Sequence, residues 1–193
     1  MRFRSAMVNG VLASLLSLVA SQTPAESHDT VARLTGNGHI LMVRHALAPG
    51  NGDPPEFRLG ECATQRNLDE RGREQARAIG HWLRANGVFA ARVYSSQWCR
   101  CRETAELMNV GEVTPLPALN SFYDRPTMRE PTLEALRDFL ATRTDDEPLT
   151  ILVTHHVVIA AMTGLGVASG EGVLVERAAP GRVVVRARLR FWD

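Results

Sequence analysis

The stretch 39-HILMVRHA-46 decides how the rest of the chain is read. Its first six residues, His39 to Arg44, form a short apolar run that reads as a buried strand, and the run ends on the basic pair Arg44-His45. A long loop follows. Residues 46–66 contain Pro49, Pro54 and Pro55 with Gly50, Gly52 and Gly60, a composition that excludes a regular element and predicts a cover over whatever the strand end presents. Asp69 then predicts the cap of a helix running to about Asn86, with Ala76, Ile79 and Leu83 on one face and Gly87 placed to terminate it.

The same alternation continues. Ala91 to Ser96 predicts a second strand, and Ser95 and Ser96 can cap a helix from about Trp98 to Met108 whose Cys101, Ala105 and Met108 form an inward stripe. A Pro-containing connection leads to 119-LNSFYDRP-126. Glu130 to Thr144 predicts a third amphipathic helix, and Leu149 to Val153 a third buried strand ending at Thr154-His155. The tail, GVLVERA and RVVVRARL on either side of Pro180-Gly181, predicts a closing hairpin. Together these elements predict an α/β domain over residues 39–193: three layers, a mostly parallel central sheet, and helices on both faces.

Upstream, the composition changes. Arg2 and Arg4 precede an apolar, uncharged stretch from Ala6 to Ala20, which predicts a secretory signal peptide over residues 1–21, with cleavage after Ser21 or Ala25, and a linker or start of the mature chain over 22–38. The apolar core is too short for a comfortable bilayer span. The expected location is therefore periplasmic or secreted, without stable membrane insertion once the leader is removed; an uncleaved anchor would also leave the domain outside the cytoplasm. Three cysteines fall in that exported part. Cys99 and Cys101, one residue apart, cannot readily pair with each other, so Cys62 bonded to one of them is expected, with three buried free thiols as the alternative. The cysteines and the His155-His156 pair have no recognised zinc spacing, so no metal and no cofactor is expected. A net charge of +1 with arginines spread along the chain gives no footprint for nucleic acid. The expected partner is a small molecule. Nothing in the sequence speaks to oligomeric state.

In open α/β sheets the ligand lies beyond the carboxyl ends of the strands. Three such ends carry Arg44-His45, Ser95-Ser96 with Arg100 close behind, and Thr154-His155. Arginine binds phosphate oxygens in pairs and keeps its charge, a neutral imidazole nitrogen is a good nucleophile at neutral pH, and a transferring phosphoryl group needs fixed positive donors around it. A backbone carbonyl in the loop after His45 can serve as acceptor for its second ring nitrogen. Trp82 and Trp98 read as packing residues, and Phe122 and Tyr123 as candidates for the pocket mouth.

VRHA, SSQWCRCRETA and ILVTHH resemble the histidine phosphatase superfamily, which includes phosphoglycerate mutases and many phosphatases, and LDERGREQARAIG resembles its helix opening. The resemblance implies a phosphoglycerate mutase-like fold and a phosphomonoester hydrolase, with His45 as the phospho-accepting nucleophile and Arg44, Arg100 and His155 around the phosphate. Asn51, six residues after His45, falls where many members place a phosphate-binding Asn. A small phosphorylated molecule is then the expected substrate. A mutase and a phosphate-binding pseudoenzyme are the competing readings. There are two departures from the family pattern. Ala46 stands where Gly usually follows the His. Ser121 stands where the mutase-like branch has a catalytic Glu, and the acid that the other branch places after the second His is here His156. A hydroxyl cannot protonate a leaving alkoxide as a carboxylic acid does, which leaves Asp124, Glu171, His156 or no residue in that role.

Overall fold

The computed structural model describes residues 24–179 and 181–192; the expected signal peptide lies outside the described residues. The elements in chain order are α1 (Pro24–Thr35), β1 (His39–Arg44), α2 (Glu70–Ala85), β2 (Arg92–Ser95), α3 (Cys99–Met108), β3 (Val113–Pro115), α4 (Arg129–Ala141), β4 (Thr150–Thr154), α5 (His156–Thr163), β5 (Gly172–Ala179) and β6 (Arg182–Leu189). One sheet in the order β3-β2-β4-β1-β5-β6 runs through the molecule. Its first four strands are parallel, and β5 and β6 are antiparallel additions, the predicted hairpin.

Strand periodicity divides the core. Leu41 and Val43 of β1, with Ile151 and Val153 of β4, face a layer that includes Leu34 of α1, Ile79 and Leu83 of α2 and Met108 of α3. Ile40 and Met42, with Leu152, face Leu133, Leu136 and Leu140 of α4 and Val158 and Ile159 of α5. Each central strand is therefore buried on both faces, which is why β1 and β4 read as continuous apolar runs. Asp69 caps α2 as expected, its side chain accepting from the Gly72 amide at 2.8 Å. Gly80 allows close helix contact: a Cβ there would lie 1.9 Å from the Met108 carbonyl at the end of α3.

Three expectations need correction. The stretch expected as a linker holds helix α1, whose Leu34 is buried in the core and whose Arg33 pairs with Glu176 of β5. The connection after α3 contains β3, a short edge strand that pairs with β2 through Val93–Val113 and ends on Pro115, where an edge position tolerates the missing amide. Finally, no side chain caps α3. Its N-cap residue is Trp98; Ser95 is the last residue of β2, and Ser96 lies in the turn between that strand and the helix.

Candidate active site

β1 and β4 are neighbours, and the His45 amide extends their ladder by donating to the Thr154 carbonyl at 2.9 Å. The two histidines that follow these strands are thereby brought face to edge, with ring centroids 5.5 Å apart. α3 is fastened to the same point through Thr104. Its hydroxyl donates to the Arg100 carbonyl at 2.6 Å and accepts from the Ala46 amide at 3.0 Å, so Arg100 and the backbone after His45 move together.

The His45 ring is fixed by its own chain. Nδ1 lies 2.8 Å from the Ala46 carbonyl, an atom that can only accept, so Nδ1 carries the proton and Nε2 keeps its lone pair. Burial, reinforced by Arg100, lowers the His45 pKa to about 3, and burial followed by Arg100 also lowers that of His155 well below 6.5. Both rings are neutral in the unliganded site at pH 7. His155 Nε2 lies 2.9 Å from Ser96 Oγ, which lies 3.2 Å from Asn120 Oδ1; His155 Nδ1 is 3.5 Å from Arg100 Nη2. A guanidinium only donates, so the network is satisfied when Nε2–H donates to Ser96 and Nδ1 faces Arg100 unprotonated. Ser96, expected as a helix cap, is the residue that orients His155.

Arg44 Nη1 donates to the Val167 carbonyl at 2.9 Å, and Arg100 Nη1 donates to Asp53 Oδ1 and Oδ2 at 2.8 and 3.1 Å. The Nε atoms of both arginines are buried without a partner in the protein. Two orphaned donors of this kind beside one histidine are a ready receptor for anionic oxygens. The first amide of α3 is not available for that purpose, because Cys99 N donates to Gln65 Oε1 at 3.0 Å.

Around these groups lies a cleft of about 210 Å³ lined by Arg44, His45, Asn51, Arg100 and His155, which were expected there, and by Ser121, Tyr123, Asp124 and His156. Tyr123 stands at the mouth, but Phe122 is buried in the core with Leu119 and Leu133 and does not line the cleft. Glu171, a candidate acid, is also absent from the lining. Burial would raise its carboxyl pKa, but Arg188 and the Ala168 amide bind it and hold it below its ordinary value. Trp98 packs against Phe57 and the His155 ring, and its Nε1 also donates to Asp53 at 2.9 Å. Sequence reading missed two residues. Arg66 lines the cleft and donates to the Ala48 and Gly52 carbonyls, and Asp53 pairs with Arg100. Their only sequence signal was charge inside a loop that covers a site.

Cys62 and Cys99 form a disulfide, which settles the pairing left open by the spacing. It ties the covering loop to the first turn of α3. Cys101 is free and fully buried, and burial pushes its thiol up to about 12. Among the described residues no group of three His, Cys, Asp or Glu side chains could hold a metal ion, and no helix is long and apolar enough to cross a membrane.

The depressed histidine has a consequence for stability. The unfolded chain protonates His45 near 6.5, while the fold resists protonation down to about 3, so its contribution is complete above pH 6.5 and is lost progressively as pH falls to about 3. Melting temperature is expected to drop over that window, and to drop less steeply in His45→Asn; identical slopes for the two proteins would show that His45 is not held neutral.

A family model, the histidine phosphatase superfamily (branch 1), matches residues 40–123. Among solved structures, the fold is similar to that of the protein histidine phosphatase SixA complexed with tungstate, at 14% identity and a TM-score of 0.52 over 79% of this chain and 97% of that one. It is also similar to a phosphoglycerate mutase from Thermus thermophilus, at 20% identity and 0.53 over 79% and 98%. A third is the mycobacterial glucosyl-3-phosphoglycerate phosphatase Rv2419c, at 18% and 0.50 over 76% and 96%. No curated protein matches the chain in sequence. Residues 40–123 thus carry the pattern of the histidine phosphatase superfamily, and the fold is the one shared by these phosphatases and the mutase.

Proposed function

We propose that this protein is an acid-type histidine phosphatase that hydrolyses small phosphomonoesters outside the cytoplasm through a phosphohistidine on His45. The observation that carries this reading is the fixed ring: Nδ1–H is spent on the Ala46 carbonyl, and Nε2 is left with its lone pair in a cleft lined by Arg44, Arg100 and His155. In the first step Nε2 attacks phosphorus, the P–O bond to the alcohol breaks, and the leaving oxygen takes a proton. In the second, water attacks the phosphohistidine, and phosphate departs with Nε2 restored. Arg44 and Arg100 hold the equatorial oxygens through the donors that have no partner in the protein, and Asn51 contributes from the rim of the cleft. A bound phosphate dianion offsets the arginine field, so His155 takes up a proton at Nδ1 and donates it as a hydrogen bond to the phosphoryl group. A structural neighbour, the protein histidine phosphatase SixA, is complexed with tungstate, a tetrahedral oxyanion of the kind such a receptor would hold. Because His45 stays unprotonated down to about pH 3, the nucleophile remains competent in acid. The disulfide and the predicted leader support a location outside the cytoplasm.

Asp124 is assigned as the acid. It lines the cleft beside Gly52, makes no ion pair among the described residues, and stands three residues from Ser121, while Glu171 is engaged elsewhere. Asp124→Asn is expected to slow alkyl phosphates about a hundredfold and aryl phosphates by less than about threefold, because only the poor leaving group needs the proton. Equal loss on both would place the acid elsewhere, with His156 next.

The test of function is a panel of phosphate esters incubated with the purified protein, with and without an added phosphorylated acceptor. Release of inorganic phosphate supports hydrolysis. Transfer to the acceptor with little free phosphate would identify a mutase, and phosphate-dependent stabilisation without turnover would identify a binding protein.

A further inference from the structure

Among the described residues, Asp53 is the only carboxylate in direct contact with the arginine cluster, and its surroundings are built for it. Its side chain is 2% exposed, like the 3% exposed Arg100 it faces. Oδ1 accepts from Arg100 Nη1 at 2.8 Å and from the Arg66 amide at 3.0 Å, and Oδ2 accepts from Trp98 Nε1 at 2.9 Å and from Arg100 Nη1 at 3.1 Å. The residue sits in the covering loop, yet its partners lie on three separate stretches of chain: the end of that loop, the turn before α3, and α3 itself.

These contacts determine which part of Arg100 is left for a ligand. A guanidinium has two edges that can grip a pair of oxygens, and the Nε–Nη2 edge lies opposite Nη1. Asp53 occupies Nη1, Nε has no partner, and Nη2 has only the 3.5 Å approach to His155. The free edge is therefore the side edge. Charge follows the same logic. With Asp124 protonated, as the acid role proposed above requires, the guanidinium groups of Arg44, Arg66 and Arg100, reduced by the Asp53 carboxylate, leave two positive charges around the cleft, equal and opposite to a phosphomonoester dianion.

We infer that Asp53 is a positioning residue for the proposed phosphatase reaction: it holds Arg100 with its Nε–Nη2 edge toward the phosphoryl group and trims the cluster to the charge of the substrate, so that phosphate product is released. The inference rests on the function proposed above. Burial alone would raise the Asp53 pKa, but Arg100 and the other donors hold it below its ordinary value, so the carboxylate is charged at neutral pH.

The test is a double-mutant cycle with Asp53→Asn and Arg100→Ala on an aryl phosphate, with the inhibition constant of inorganic phosphate measured alongside. Asp53→Asn is expected to lower kcat about tenfold, through misorientation of Arg100, and to lower the phosphate inhibition constant about threefold, through the added positive charge. In the Arg100→Ala background the same change should cost less than about twofold, because its effect passes through Arg100. A kcat equal to wild type, a raised inhibition constant, or the full loss repeated without Arg100 would each overturn the inference; a purely structural role predicts the last two. If Asp53→Asn does not fold, Trp98→Phe removes one donor to the carboxylate and keeps the ring. A fall in kcat of about threefold is then expected, and an unchanged kcat overturns the proposal. A wild-type protein with no turnover would count against the proposed function instead, and phosphate-induced melting shifts in Asp53→Asn would still read the charge effect.

Discussion

His45→Asn is expected to reduce turnover at least about a thousandfold while leaving the fold and the oxyanion receptor in place. The asparagine keeps a polar side chain of similar reach beside the Ala46 carbonyl, and Arg44, Arg100 and His155 are untouched. Three other potential nucleophiles are engaged or buried. His155 Nε2 is engaged with Ser96, the Ser121 hydroxyl accepts from the Tyr123 amide at 3.2 Å, and Cys101 is fully buried with its thiol pushed up to about 12. Inorganic phosphate should therefore still raise the melting temperature of the variant. Retained turnover would remove His45 from the chemistry. Loss of phosphate stabilisation together with activity would mean that the histidine also builds the receptor.

Arg100→Ala is expected to have the second largest effect, a loss of about a hundredfold to a thousandfold in kcat/KM, with phosphate stabilisation abolished. Two effects act in the same direction. The variant lacks the buried edge that would bind two oxygens, and Asp53 is left as an unpaired carboxylate next to an incoming anion. Breaking that buried pair should also cost about 3 kcal/mol of stability. Arg100→Lys is not expected to rescue activity, because a single ammonium cannot bind Asp53 on one side and present a planar fork on the other. Activity restored by Lys would show that charge alone is required. Kinetics of the two variants beside the wild type, with melting curves in phosphate, check both effects.

The legible parts of the fold and of the candidate site share one physical basis. β1 and β4 are buried on both faces, so their inner residues, Ile40 to Val43 and Ile151 to Val153, are all apolar, and the polar residues that follow stand out: Arg44-His45 and Thr154-His155. Asp69 and the apolar face of α2 carried similarly local signals, a cap and a 3.6-residue period. The missed features depend on tertiary contacts. β3 is three residues long and ends in Pro, so it has no period to read; it exists because Val113 pairs with Val93. α1 is a polar helix, anchored through Leu34 and the Arg33–Glu176 pair, and neither anchor is visible without the sheet. Asp53 lies between Gly52 and Pro54 and Arg66 at the far end of the loop, and only the folded path brings Asp53 to Arg100. Ser96 had a competing local explanation as a helix cap, and the hydrogen bond to His155, 59 residues away in the chain, overrides it.

The departures at Ala46 and Ser121 now have a structural setting. Ala46 is fully buried, and it is not among the described non-glycine residues with positive φ, so alanine fits the position usually given to glycine without backbone strain. Ser121 lines the cleft without a carboxylate, and Asp124, the proposed acid, lines it too.

The central claim is covalent capture at one nitrogen, and rapid quenching of the protein with an aryl phosphate, followed by mass spectrometry of the digested chain, tests it most directly. The account predicts an acid-labile, base-stable phosphoryl group on the His45 peptide that forms before steady state and is absent from His45→Asn. A phosphoryl group on any other residue, or steady turnover in His45→Asn at the wild-type rate, would contradict it.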